Sequence, residues 1–253
     1  MDSPLWTGIY ASFQEVPSSA NAYDGEEWQR AIMARIERWH SAVAQALPLP
    51  PTPERGTLLA ALIAGMGSSR CSVLDIGGGG ATTLLQVRAS LPEVSLAWTV
   101  VEREAVCSAA SRVVREPGLQ FTSIIPTESS ADIVYMGSSL QYFDNWQDIL
   151  QSAAHAATRF VLLEDVPAVS CASFAAAQRY YSGSIPTWFI SHDELMSQAN
   201  RSGLKCVLRD RFRASILGDW NGYPMENFPE THRVGLASTF LFKVAAMNTN
   251  KDE

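Results

Sequence analysis

No two cysteines in this 253-residue chain are spaced as C-x-x-C. The four present, Cys71, Cys107, Cys171 and Cys206, stand far apart. That spacing argues against a disulfide framework and against a zinc ribbon, and for reduced, mostly buried thiols. Basic clusters are missing too. Nineteen Lys and Arg face 26 Asp and Glu, for a net charge of −7. With no basic stripe to follow a phosphate backbone, nucleic acid is not an expected partner. The longest apolar run, residues 57–66, is too short to cross a bilayer. The opening MDSPLW carries no basic region leading into an apolar one, so a cytoplasmic location is expected. There is no G-x-S-x-G elbow, and His40, His155, His192 and His232 have no partners at ligand or triad spacing. Neither a metal site nor a Ser-His-Asp triad is expected.

What is present is an alternation. Residues 26–46 space Trp28, Ile32, Ile36 and Trp39 as an amphipathic helix. LPLPPTP at 47–53 stops it in an extended, proline-rich segment, and 57–66 reads as a buried helix. Residues 1–70 are therefore expected to form a helical appendage. From residue 71, apolar strand runs alternate with helix-like runs: SVLDIG, SLAWTVVE, LQFTSII, ADIVYMG and RFVLLED are the strands. Five alternations imply a doubly wound α/β sheet, mostly parallel and covered on both faces. After the helix HDELMSQANRSG, LKCVLRDRF and VGLASTFLFKVA follow as two strands with no helix between them, an antiparallel pair at one edge. The core domain is expected over 71–246, with a frayed tail at 247–253.

VLDIGGGGATTLL, residues 73–85, holds the binding signal. A glycine-rich turn after a first strand lets backbone approach a ligand at the carboxyl edge of the sheet. A dinucleotide fingerprint needs G-x-G-x-x-G, but Gly77 and Gly79 are followed by Thr82. Asp75 instead precedes a G-x-G. A carboxylate there repels a pyrophosphate and suits a ligand bearing an ammonium and a sulfonium. Glu102 closes the second strand, where it can accept from both ribose hydroxyls. Asp75, Gly77, Gly79 and Glu102 together point to S-adenosylmethionine.

The walls of a second, acceptor pocket are expected at the ends of strands four and five. Ser138 falls at the sulfonium end of the cofactor. Ser139 and Gln141 can hold the amino-acid moiety or the acceptor. Tyr142 can face the sulfonium with its ring, or with Leu140 pack the following helix. Glu164 and Asp165 are either a base or solvated strand ends. Tyr180, Tyr181 and Trp188 line the pocket or belong to the core. Trp6, Tyr10, Phe13 and Tyr23 form either a lid or a staple of the appendage onto the core. The insertion GDWNGYPMENF and the tail are candidates for capping the site or for homodimer contacts.

The layout resembles the class I S-adenosylmethionine-dependent methyltransferases, with VLDIGGGG matching their first motif and WTVVE their second-strand motif. The resemblance implies a Rossmann-like fold and assigns Glu102 to the ribose. At the third strand, FTSIIPT offers only hydroxyls where that class often has an acid against the adenine. WTGIYASFQEV, NAYD, SSLQYF and SIPTWFIS extend the likeness over nearly the whole chain, to a bacterial family of methyltransferase-like proteins from polysaccharide and secondary-metabolite gene clusters. With the class I likeness it implies a methyltransferase, expected to act on a small molecule; Ser139, Gln141, Tyr142 and Tyr181, placed after strands four and five, are the expected catalytic set. Some proteins similar to this family are azetidine-2-carboxylate synthases, which implies the alternative that the cofactor is cyclised and methylthioadenosine released.

Overall fold

The computed structural model describes residues 4–19, 26–45, 55–127, 130–181, 183–213 and 222–245; for residues 26–29, 32, 40, 43 and 44 it describes backbone alone. The proline-rich 47–53 segment, Tyr23 and the 247–253 tail lie outside the described residues. Along the chain come β1 (Trp6–Tyr10), α1 (Glu26–Ala44), α2 (Thr57–Gly65), β2 (Arg70–Ile76), α3 (Thr82–Ser90), β3 (Ser95–Val101), α4 (Glu104–Val113) and β4 (Leu119–Thr122). Then follow β5 (Ala131–Gly137), α5 (Trp146–Ala156), β6 (Ala157–Val166), β7 (Ala168–Val169), β8 (Phe174–Tyr180), β9 (Gly183–Ser191), α6 (His192–Arg201), β10 (Leu204–Phe212) and β11 (Ala237–Val244).

Seven strands form the main sheet in the order β10-β11-β6-β5-β2-β3-β4. The five from β2 to β6 run parallel, and β11 and β10 add antiparallel at one edge. The expected doubly wound α/β sheet with an antiparallel edge is what the chain builds. Strand period 2 explains the two covered faces. On β5, Ile133 and Tyr135 join one core with Leu59, Ile63, Leu84 and Val87 of α2 and α3. Val134 and Met136 join the other with Trp146, Leu150, Leu195 and Ala199 of α5 and α6. The chain winds β2-β3-β4 to one side and then returns to β5 and β6 on the other. The switch point therefore falls between β2 and β5, and a crevice opens at their carboxyl ends.

A second sheet, β1-β8-β9-β7, was not expected. The start of the chain is a strand, not part of a helical segment: Trp6 pairs with Gln178 and Tyr10 with Ala175. β8 and β9 form a hairpin that carries the RYY and IPTW aromatics. β8 hides because FAAAQRY has an alanine run that reads as helix, and β9 because Pro186 interrupts it. The proline is tolerated since β7 pairs β9 only at Ile190 and Ser191, leaving that flank of Pro186 open. Trp6, Phe174, Phe189, Met225, Phe228 and Val234 make a separate apolar cluster that seats this sheet against the 223–234 segment.

Candidate active site

β2 ends at Asp75-Ile76-Gly77, and the glycine turn follows with Gly77 at φ 78° and Gly79 at φ 55°. Both lie in the left-handed region that glycine occupies at no steric cost. Close approach constrains Gly77 a second time and Gly78 as well. A Cβ on Gly77 would sit 2.5 Å from Ser139 Cβ, and one on Gly78 would sit 2.5 Å from the Asp75 carboxyl. Gly80 meets α1: its missing Cβ would lie 2.1 Å from Ile36 Cγ1. So α1 lies over the loop and covers it.

Asp75 is 1% exposed and accepts a hydrogen bond from Trp98 Nε1 at 3.3 Å. Burial pushes its carboxyl up to about 7; the Trp98 bond works against this, and the charge of Glu102 adds to it. Burial also raises Glu102, which accepts backbone N–H groups from Arg103 and from Gly79. The Glu102 carboxylate, directly after β3, is thereby held against the glycine loop. Beside the loop opens a cavity of about 380 Å³, lined by residues 77–80, Asp75, Arg35, Trp39, Arg55 and Tyr135.

The ends of β5 and β6 are held in uncommon backbone conformations. Ser138 has φ 58° and Asp165 φ 59°, both left-handed without being glycine. Such geometry persists only where surroundings enforce it. The enforcing contacts are visible. Gln141 Nε2 donates to Ser138 Oγ (3.3 Å) and to the Asp165 carbonyl (3.2 Å). Arg55 Nη2 donates to Asp165 Oδ2 at 2.5 Å, and Tyr223 Oη to Oδ1 at 3.3 Å. Next door, Glu164 Oε2 accepts the Gly56 N–H (2.9 Å) and the Tyr135 hydroxyl (2.8 Å), and burial raises this carboxyl. Two consecutive carboxylates thus clamp Arg55 and Gly56, just before α2, onto the end of β6.

A second cavity of about 340 Å³ lies between these strand ends and the small sheet. It shares Arg35 and Arg55 with the first, so the two adjoin. Ser138, Gln141, Tyr142, Tyr180, Tyr181 and Asp165 line it. Tyr142 donates to Gln178 Oε1 at 3.1 Å, and burial pushes its phenol up to about 12.

Of the expected site residues, Asp75, Gly77 and Gly79 line the first cavity, Glu102 abuts its loop, and Ser138, Gln141, Tyr142 and Tyr181 line the second. Ser139 lines neither. Its hydroxyl donates to the Ile76 carbonyl at 2.7 Å, pinning the strand-four turn to β2 instead of facing a ligand. Trp188 also lines neither; it stacks on Phe13 at 5.2 Å and donates to the Asp144 carbonyl. Of the N-terminal aromatics, Trp6 lines the second cavity and Phe13 packs on Trp188. Trp6 stacks on Tyr223 at 4.9 Å, and the cover over the first cavity is α1. Sequence reading missed Arg35, Arg55, Tyr135 and Gln178, while Tyr223 falls in the insertion expected to cap the site or to make homodimer contacts. Only Arg55 left a trace, as the one cation between the prolines and the buried helix.

Among the described residues no group of three or more His, Cys, Asp or Glu side chains is placed to hold a metal ion, and no helix is long and apolar enough to cross a membrane. A larger cavity, about 410 Å³, lies between α4 and β4 and contains none of the expected site residues.

No protein-family model and no curated protein matches the sequence. Solved structures do. The [4+2]-cyclase SpnF superposes with a TM-score of 0.56 at 11% identity, over 93% of this chain and 99% of its own. A SAM-dependent methyltransferase from Methanosarcina mazei gives 0.53 at 12% identity, over 73% and 97%. A candidate S-adenosylmethionine-dependent methyltransferase from Listeria monocytogenes gives 0.52 at 10% identity, over 70% and 92%. The chain therefore has the class I methyltransferase fold.

Proposed function

We propose that this protein is an S-adenosylmethionine-dependent enzyme that transfers a methyl group to a small molecule. The observation that carries the reading is the pairing of a glycine-turn cavity, floored by a buried carboxylate, with a second cavity that adjoins it through Arg35 and Arg55. The donor set fits the cofactor. Asp75 is a buried acid with no ion-pair partner among the described residues, suited to an ammonium, and Glu102 has acceptor capacity left for ribose hydroxyls beyond its two backbone bonds. The glycines leave room for backbone approach, and α1 excludes water above them. Bound there, the cofactor supplies a carbon already activated by a sulfonium. The chain then has to orient the acceptor and keep the site dry, which needs little acid–base chemistry. Two small adjoining cavities in an acidic chain fit a small-molecule substrate better than nucleic acid. A role in bacterial secondary metabolism or polysaccharide biosynthesis, in the cytoplasm, accords with this. So does a division into a 1–70 covering segment and a 71–246 cofactor domain.

A second reading is favoured by the state of the second cavity's carboxylate. Asp165 is its one lining acid and is already paired with Arg55, so it is poorly placed as a base for a protonated acceptor. A reaction that needs no external acceptor does not call on Asp165: the cofactor's own α-ammonium can pass its proton to Asp75, whose carboxyl is pushed up to about 7, and the free amine then displaces methylthioadenosine at the γ-carbon, giving azetidine-2-carboxylate. Incubation of the purified protein with S-adenosylmethionine alone separates the two. Methyl transfer predicts intact cofactor until an acceptor is added, then S-adenosylhomocysteine. Methylthioadenosine with a cyclic amino acid in the absence of acceptor overturns the transfer reading.

A further inference from the structure

We propose that the second cavity binds a small aromatic acid that also carries a hydroxyl or amine hydrogen-bond donor. The acid group is held at the mouth by Arg35 and Arg179, and the donor is held at the floor by Gln141 Oε1. The inference rests on reading this cavity as the acceptor site.

The floor is defined by an unmet acceptor. Gln141 is 2% exposed, and its amide nitrogen is committed to Ser138 and to the Asp165 carbonyl. Those two bonds fix which way round the amide lies, and they leave Oε1 buried with no partner among the described residues. A buried carbonyl-type oxygen is rarely left unpaired in a native structure, and one that is calls for a specific partner or role. The neighbouring hydroxyls do not supply the missing proton. Tyr142 and Thr187 both donate to Gln178 Oε1, at 3.1 and 2.8 Å, and Tyr223 donates to Asp165. The group that completes Gln141 is a donor, an O–H or N–H, and in the proposed complex the ligand supplies it.

The mouth is defined by charge. Three arginines, Arg35, Arg55 and Arg179, line the cavity against one carboxylate, Asp165. Arg55 is spent on that carboxylate. The side chains of Arg35 and Arg179 are exposed and have no ion-pair partner among the described residues. A positive mouth in a chain of net charge −7 is a local departure, and guanidinium groups match a carboxylate through paired N–H donors. Tyr180 and Tyr181 add a wall of two rings in edge contact at 4.8 Å. Tyr181 is held there in a left-handed conformation at φ 50° while 46% exposed, so the hairpin keeps its ring at the opening at a steric cost. Ring faces and edges of this kind favour a planar ligand.

The test uses full-length protein saturated with S-adenosylhomocysteine and three probes in calorimetric or ligand-observed NMR titrations. The probes are 4-hydroxybenzoate (acid and donor), benzoate (acid alone) and tyramine (donor with a cation). The expected order puts 4-hydroxybenzoate about tenfold tighter than benzoate, the usual gap when a buried polar group is left unpaired. Tyramine should be weaker still. Arg35→Ala/Arg179→Ala, at two exposed positions that folding tolerates, should weaken 4-hydroxybenzoate by about tenfold. Gln141→Leu should erase the preference over benzoate. Tyramine binding as tightly as 4-hydroxybenzoate overturns the inference. So does unchanged affinity in the double arginine variant, or no binding of any probe. Binding of S-adenosylhomocysteine is measured in the same samples. If it fails, the cofactor reading falls by itself, and probe titrations on the protein alone still decide this one.

Discussion

At the scale of single residues, Asp75 is the position where burial and function oppose each other. With its carboxyl pushed up to about 7, the folded protein holds a proton that the unfolded chain loses near pH 4. Stability contributed at this position therefore falls as pH rises from about 4 to 7, and the whole penalty stands above that window. Asp75→Asn keeps an acceptor for Trp98 Nε1 and removes the charge. Calorimetric scans of the protein alone should show the variant melting higher at pH 8, with no such gain at pH 4. The same ionisation serves an ammonium ligand. Affinity for S-adenosylhomocysteine should rise about tenfold from pH 6 to pH 8 as the ionised fraction grows, and this dependence should vanish in Asp75→Asn. A flat profile in the wild type would show that Asp75 does not meet the ligand. Asp75, Gly77 and Gly79 were legible because one short string carries them. Ser139 was misread for the opposite reason: its hydroxyl is taken by the carbonyl of Ile76, a partner that only the sheet brings near.

At the scale of elements, the junction before α2 decides the shape of both cavities. Arg55 and Gly56 are tied to Asp165 and Glu164, and Arg55 borders both spaces. Arg55→Ala leaves Asp165, 4% exposed, without its cation. Breaking a buried pair costs roughly 3–5 kcal/mol, but the Arg55 side chain is 30% exposed, and solvent screening brings the expected loss to about 2 kcal/mol. In urea titrations the double variant Arg55→Ala/Asp165→Asn should recover more than half of that loss, since no stranded charge remains. Equal losses in the single and double variants would mean that the two side chains are not coupled. The helices and the parallel strands could be read from periodicity and length. The small sheet could not. Its strands carry an alanine run and a proline, and pairing between Trp6 and Gln178, 172 positions apart, leaves no local pattern.

At the scale of the whole molecule, the two cavities sit where α1, the switch point of the main sheet and the small sheet converge, so ligand binding engages several elements at once. A ligand that binds only the folded state at a hundred times its dissociation constant adds about 2.7 kcal/mol. For a chain of this size that amounts to a rise of roughly 5–10 °C in Tm. S-adenosylhomocysteine should produce that rise in a thermal melt, and NAD should not. A shift with NAD alone would reverse the choice of cofactor made from the incomplete glycine pattern. The sequence by itself determined the sheet, its antiparallel edge and the glycine turn with its acid, because strand period, helix period and turn chemistry act between near neighbours in the chain. Tertiary structure alone decided that Ser139 faces neither cavity, that α1 covers the first, and that Arg55 borders both. Those outcomes depend on side chains far apart in the chain, 63 positions for Ser139 and Ile76 and 110 for Arg55 and Asp165, and such pairings are settled only when the elements pack.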